Sequence, residues 1–195
     1  MSHVYRKSAG ALILVGGSQF AVGMLVAEAL YPGYSISQNY ISDLGVGPSA
    51  TIFNSSIFLL GLMVVVSAYF AHGSFRSRLV TGLLVLAGVG AMGVGVFPEN
   101  SPAIHEIVSD IAFIFGGLLP IAAYRLARKP FSYFSVAMGV LSLSAMILMS
   151  AQYSFGLGEQ YYLAGAGPTA SGSGNVGPVT GFHTERKAQN GNTFH

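Results

Sequence analysis

Long apolar runs divide the chain into five segments, and short stretches rich in glycine, proline or charged residues separate them. Each run is close to the roughly 20 apolar residues that an α-helix needs to cross a bilayer. The pattern therefore predicts five transmembrane helices, over residues 8–30, 50–70, 79–97, 104–124 and 131–155. A cleavable signal peptide is the alternative interpretation of the first run, but its length and Glu28 near its end favour a retained helix.

The composition agrees with a membrane protein. Only 8% of the residues are charged and 52% are hydrophobic, whereas about a quarter of the residues in a soluble domain are charged. We therefore predict an all-α, polytopic integral membrane bundle surrounded by membrane lipid. The chain has no cysteine, which excludes disulfides, thiolate catalysis and cysteine-ligated clusters. A net charge of +2 without a nucleic-acid-binding motif indicates that nucleic acid is not a partner.

The basic residues near the helices occur in alternate connections. They precede the first run, separate the second from the third, and separate the fourth from the fifth; they are Arg6, Lys7, Arg76, Arg78, Arg125, Arg128 and Lys129. Cytoplasmic loops of membrane proteins carry an excess of lysine and arginine. The sequence therefore predicts a multi-pass protein of the cell membrane with a cytoplasmic N-terminus and, after five helices, a C-terminal tail outside.

The acidic residues have the opposite bias. The segment 97–110 (FPENSPAIHEIVSD) holds Glu99, Glu106 and Asp110 together with His105. Glu106 is near a predicted helix start, where the helix dipole stabilises a carboxylate. Asp110 lies deeper, and ionisable groups within membrane segments usually face protein or a watery cavity. We expect a polar cluster near the outer surface, with candidate members Asp43, Glu99, His105, Glu106, Ser109, Asp110 and Glu159.

This cluster has two interpretations. One is a pocket that binds a cation or polarises a substrate, in which a metal would use His105, Asp110 and Glu99. The other is a hydrogen-bonded clamp between helices. A catalytic metal needs about three protein ligands and an open position, and the cluster has one histidine and no HExxH motif. No cofactor is expected, because the chain has no phosphate-binding glycine loop and no second histidine at the depth of His105.

Three groups of residues carry a family resemblance. The first is YPGY at 31–34 with ISDLG at 41–45 and FN at 53–54, the second is GVFPE at 95–99 with His105, and the third is GLGE at 156–159. Over about residues 8–160 the chain resembles the membrane family called domain of unknown function 998. The resemblance implies a helical membrane fold, usually of six helices, without an established activity. It marks Asp43, Glu99, His105 and Glu159 as matching positions.

The sixth helix of that family has no counterpart after Glu159. Residues 164–195 are rich in glycine, serine, proline and threonine, and no window among them is apolar enough to span a bilayer. We therefore divide the chain into a transmembrane domain at 1–163 and an extramembrane tail at 164–195. Such a composition buries too little apolar surface to offset the entropy of ordering, so we expect contacts with other protein to order the tail.

Three classes of function fit these features. We favour a non-catalytic subunit or assembly protein of a membrane complex, with another membrane protein or a second copy as its partner. The alternatives are an intramembrane metal-assisted hydrolase with an outward-facing His/carboxylate site, and a transporter or small-molecule sensor. Small residues in the third helix indicate close helix packing, foremost within the chain. The segment 34–44 is expected to lie on the bundle, capped around Asp43, or alternatively to act as a lid.

The predicted topology can be tested by labelling single cysteines, because the chain has no native cysteine. Ser101→Cys lies in a connection without lysine or arginine, so it should react with a membrane-impermeant maleimide added to intact cells. Ser77→Cys lies between two arginines and should react only after lysis. Cytoplasm-only labelling at position 101 would contradict the topology.

Overall fold

The computed structural model describes residues 2–37 and 39–154. They form five long helices, which are α1 (Ser2–Leu30), α2 (Ala50–Phe75), α3 (Arg78–Val96), α4 (Pro102–Ala122) and α5 (Phe131–Ser154). Each helix is long and apolar enough to cross a membrane, and no strand occurs within the described ranges. The all-α, five-helix prediction is confirmed. The tail at 164–195, Glu159 and the third family group at 156–159 lie outside the described residues.

Two helices extend further than the apolar runs predict. α1 begins at Ser2 rather than at residue 8, and α2 continues to Phe75 rather than ending at residue 70. A helix that has started gains a backbone hydrogen bond with each added residue, so it continues past the apolar run. α2 ends where Arg76 adopts a left-handed conformation, with φ of 51°. The Ser77 side-chain oxygen then accepts a hydrogen bond from the Val80 amide at 3.3 Å, which caps α3.

The five helices form a row in which each packs mainly on its neighbours in sequence. Consecutive helices run antiparallel: Gly16 of α1 contacts Met63 of α2, while Gly23, further along α1, contacts the earlier residue Ser56. The same reversed order holds at the later interfaces. A fold of this kind places the connections alternately at the two ends of the row.

Glycines allow close approach of neighbouring helices at every interface of the row. Gly61 of α2 faces Gly88 of α3, and a Cβ on Gly61 would lie 2.5 Å from the Gly88 carbonyl oxygen. A Cβ on Gly90 of α3 would lie 2.5 Å from the Ala112 amide nitrogen of α4. At the α1–α2 interface Gly23 packs against Ser56, and at the α4–α5 interface Gly139 packs against Gly117. Carbon cannot approach other atoms so closely, so these contacts depend on the missing side chain.

The glycines of α3 serve both of its neighbours. Gly88 and Gly95 contact α2, while Gly90 and Gly93 contact α4. The prediction that small residues of this helix pack within the chain is therefore confirmed at these positions. Gly82 differs, because no atom lies within 4 Å of a Cβ built on it.

The antiparallel row sorts charged residues to its two ends. One end, which we call the basic end, contains the start of α1 and the α2–α3 and α4–α5 connections, with the basic residues named above. The other, the acidic end, is where Glu28, Asp43, Glu99, Glu106 and Asp110 lie. The described parts of its connections, at 31–37, 39–49 and 97–101, contain no lysine or arginine.

Two small clusters of buried side chains lie at opposite ends of the bundle. The cluster at the basic end joins α1, α2 and α3 through Ala9, Ala68, Ala71, Val80 and Leu84. The cluster at the acidic end joins α1 and α2 to the connection between them through Ala27, Leu44 and Phe53. Large apolar side chains elsewhere point outward; Leu14 is 71% exposed. This is the surface expected where lipid replaces water.

Adding one methyl group at the α2–α3 interface should separate the two helices. We expect Gly61→Ala to lower the free energy of unfolding by about 1–3 kcal/mol, the usual cost of overpacking, because backbone atoms of α3 block the new Cβ. Gly82→Ala is the matched control and should not be destabilising. Unfolding in mixed micelles measures both variants, and equal stabilities would contradict this account of the packing.

Candidate functional site

A short 3-10 helix at Ile41–Gly45 lies at the acidic end, within the connection between α1 and α2. Asp43 fixes its start. The Asp43 Oδ2 atom accepts hydrogen bonds of 3.0 Å from the Tyr40 amide and from Asn39 Nδ2. The carboxylate therefore stabilises the turn that precedes it, in agreement with the predicted cap around Asp43.

Buried contacts hold this connection against α1 and α2. Leu44 has no exposed surface and packs in the cluster with Ala27 and Phe53. The Ser49 hydroxyl donates to the Leu44 carbonyl oxygen at 3.0 Å, and Asn54 Nδ2 donates to the Gly45 carbonyl oxygen at 2.9 Å. The predicted segment therefore lies on the bundle, and the polar groups of its backbone are partly satisfied by α2.

Glu99 joins the α3–α4 connection to the 3-10 helix. The Ser42 hydroxyl donates a hydrogen bond of 2.9 Å to Glu99 Oε1. Burial raises the pKa of the Glu99 carboxyl above its ordinary value. The Ser42 hydrogen bond and nearby His105 oppose this rise in pKa, whereas hydrogen bonding to Asp43 and its negative charge add to it. Burial and the nearby Asp43 carboxylate therefore favour the protonated form of Glu99.

The raised pKa of Glu99 determines the direction in which the stability of the folded protein changes with pH. The folded protein holds this proton more tightly than the unfolded chain does, so the folded state gains from protonation. That gain is complete below the pKa of the unfolded chain and is lost as pH rises through the folded pKa. Burial of Glu99 and the neighbouring negative charge of Asp43 thus lower the stability of the folded state once Glu99 has lost its proton.

His105 fixes the turn between Glu99 and α4. Its Nδ1 atom lies 2.8 Å from the Phe97 carbonyl oxygen. A carbonyl oxygen can only accept, so Nδ1 carries the proton and donates. The imidazole therefore closes the 97–101 connection onto the first turn of α4, close enough for its charge to act on Glu99.

The other predicted members stand apart from this group. Glu106 and Asp110 are exposed on α4, and Ser109 is partly buried. Within the described part of the chain, none of these three side chains forms a hydrogen bond or ion pair with another residue. The structure thus brings together Asp43, Glu99 and His105, leaves Glu106, Ser109 and Asp110 outside this group, and does not describe Glu159. Over residues 2–37 and 39–154, no three His, Cys, Asp or Glu side chains are placed to hold a metal ion.

Sequence reasoning missed two residues of this site. Ser42 supplies the bond between the two connections, and Asn54 ties α2 to the 3-10 helix. Both occur inside the quoted groups of residues, at 41–45 and 53–54. Ser42 lies next to Asp43 in the sequence, and both Ser42 and Asn54 belong to the groups that carry the family resemblance. These two features could have identified them from the sequence.

The two described family groups meet at this end of the molecule. Ser42 of the first bonds to Glu99 of the second, and a Cβ on Gly95 would lie 2.6 Å from the Asn54 carbonyl oxygen. The family model described as protein of unknown function (DUF998) matches residues 14–168. No curated protein and no solved structure matches the chain. Because the family model covers most of the sequence, the chain belongs to the DUF998 family of membrane proteins of unknown function.

Proposed function

We propose that this protein is a non-catalytic subunit of a complex in the cell membrane, and that α4 contacts its partner near the acidic end. The observation that carries the proposal is the environment of Asp110. It follows Pro102 by eight residues, about 12 Å along the helix axis, and its side chain is exposed. Ionisable groups at such depth normally face protein or a watery cavity. Among the described residues Asp110 has no bonded partner.

The packing of α4 supports a contact there. Gly117 of α4 meets Leu143 and Gly139 of α5, and Asp110 lies about two turns nearer the acidic end on the same side of the helix. α5 therefore packs on this side of α4 at Gly117, whereas Asp110 on the same side is exposed. The neighbours Ile107 and Phe113 are 60% and 57% exposed. We define these residues, Ile107, Asp110 and Phe113, as the α4 face.

The burial of α4, compared with that of the other membrane-spanning helices, also supports a partner contact on this helix. In an 18-residue apolar window of α4, 6% of the residues are buried, against 33% in the window of α3 and 17% in that of α2. An inner helix of a row is expected to be covered on two sides, as α3 is. The described chain covers little of α4, so another protein is a natural source of the missing contacts and of a hydrogen-bond donor for Asp110.

The bonding at the acidic end supports a non-catalytic role. Asp43 accepts from the backbone of its own turn, Ser42 donates to Glu99, and His105 donates to a carbonyl oxygen. Each group holds a connection in place. The alternative of a metal-assisted hydrolase needs about three convergent ligands, and the described residues offer no such group.

We propose the orientation on the distribution of charge. Lysine and arginine collect at the basic end of the described chain. Because cytoplasmic loops carry an excess of these residues, this supports an orientation with that end and the N-terminus in the cytoplasm. The α4 face, the acidic end and the tail would then lie on or near the outer side. A partner that reaches the tail from outside would contact the same end of the bundle.

Single photoreactive cysteine labels in native membranes test the subunit role. Ile107→Cys and Phe113→Cys flank Asp110, and Leu14→Cys, on a strongly exposed site of α1, is the lipid-facing control. The α4 labels should give one discrete protein adduct, whereas the α1 label should give only lipid adducts. Asp110→Leu should reduce the protein adduct at least about tenfold, the loss expected from one charge-assisted hydrogen bond. Asp110→Asn keeps an acceptor and should retain more of it.

The mass of the adduct identifies the partner. Twice the mass of one chain indicates a second copy, and any other discrete mass indicates a different protein. Lipid adducts alone at all three positions, or an adduct unchanged by Asp110→Leu, would contradict the subunit role.

A further inference from the structure

A shallow groove of about 750 Å³ opens at the acidic end, beside the last turns of α1. One wall is α1, with Leu25 and Glu28, and the other is the segment 34–37. The groove is separate from the Ser42–Glu99 contact and from the α4 face. Its lining combines a carboxylate and two serine hydroxyls with exposed apolar side chains, so it is amphipathic.

The polar wall of the groove is acidic and lacks a counter-charge. No described residue forms a hydrogen bond or ion pair with the Glu28 side chain. Glu28 is close enough to Tyr34 for its charge to raise the pKa of the phenol, after the larger effect of burial and together with Asp43. The described connections at this end contain no lysine or arginine. The local field therefore favours a cation in the groove.

Two serine hydroxyls line the same groove as the carboxylate and add hydrogen-bond acceptors. The Ser35 and Ser37 hydroxyl oxygens lie 2.9 Å apart and bond to each other. A hydroxyl has two acceptor lone pairs in addition to its single donor, so each oxygen keeps acceptor capacity while it takes part in this bond. A ligand with several N–H donors would match a groove lined by a carboxylate and two hydroxyls.

The apolar wall indicates an amphiphile. Leu25 is 61% exposed and Ile36 is 80% exposed. Ile36 lies in a polar connection just beyond the end of a membrane-spanning helix, where an exposed aliphatic side chain can contact acyl chains. The groove thus offers acceptors to a head group and apolar contacts to the chain attached to it.

We propose that this groove binds an alkylammonium group, with the Glu28 carboxylate as its counter-ion and the Ser35 and Ser37 hydroxyls as further acceptors. The ammonium donates N–H bonds to these oxygens, and its alkyl part lies against Leu25 and Ile36. Two sources share this chemistry: the ethanolamine head group of a membrane lipid and a soluble alkylamine. A choline head group has no N–H donor, so the site should select against it.

Native mass spectrometry of the full chain released from detergent tests this site. Ethanolamine and choline lipids with identical acyl chains are offered in equal amounts, and the wild-type protein should retain the ethanolamine lipid. Glu28→Gln keeps the size of the side chain and removes its charge, so retention should fall about tenfold or more. Glu106→Gln is the matched control, because Glu106 is an exposed carboxylate at the same end, outside the groove; it should retain lipid like the wild type.

A second measurement separates the two sources and does not depend on folding of a variant. The wild-type protein is titrated with n-octylammonium. Displacement of the retained ethanolamine lipid assigns the site to a lipid head group, and saturable octylammonium binding without lipid retention, weakened by Glu28→Gln, assigns it to a soluble amine. Equal retention of both lipids with no octylammonium binding would overturn the proposal, as would an equal loss in Glu28→Gln and Glu106→Gln.

Discussion

A bilayer removes the hydrophobic drive that brings helices together in water, so this bundle depends on how closely its backbones can approach. Glycine provides that approach at each of the interfaces from α1–α2 to α4–α5. At Gly61 and Gly88 the two backbones approach closely enough that the carbonyl oxygen of each residue would block a Cβ on the other. The dispersion energy of such contacts grows with proximity, and a single methyl group removes it. The row of helices is therefore specified by its smallest residues.

The acidic end depends on this packing. Gly95 lets α3 approach the Asn54 backbone of α2, and the same Asn54 donates through its side chain to the 3-10 helix. The connection that follows α3 then brings Glu99 within hydrogen-bonding distance of Ser42. The two described residue groups of the family resemblance thus form one continuous set of contacts. They join the connection after α1 to the connection after α3.

The sequence predicted the number and order of the helices because lipid imposes both length and composition on a span. The capping role of Asp43 was also predictable, because its hydrogen-bond partners Asn39 and Tyr40 are only a few residues away in the sequence. The bond between Ser42 and Glu99 was not, because it joins residues 57 positions apart and depends on which turns meet in space. The separation of Asp110 from the cluster depends on the rotation of α4 about its axis. The sequence of an apolar helix surrounded by lipid differs little from one face to another, so it gives little information about that rotation.

Ser42 and Glu99 hold the two connections together through their hydrogen bond. A double-mutant cycle of Ser42→Ala and Glu99→Ala, with unfolding measured in mixed micelles, tests it most directly, because the cycle isolates the energy of the pair. A hydrogen bond between these side chains predicts a coupling energy of about 1–2 kcal/mol. Effects that add to within about 0.3 kcal/mol would mean that the two residues act independently, and would contradict the claim.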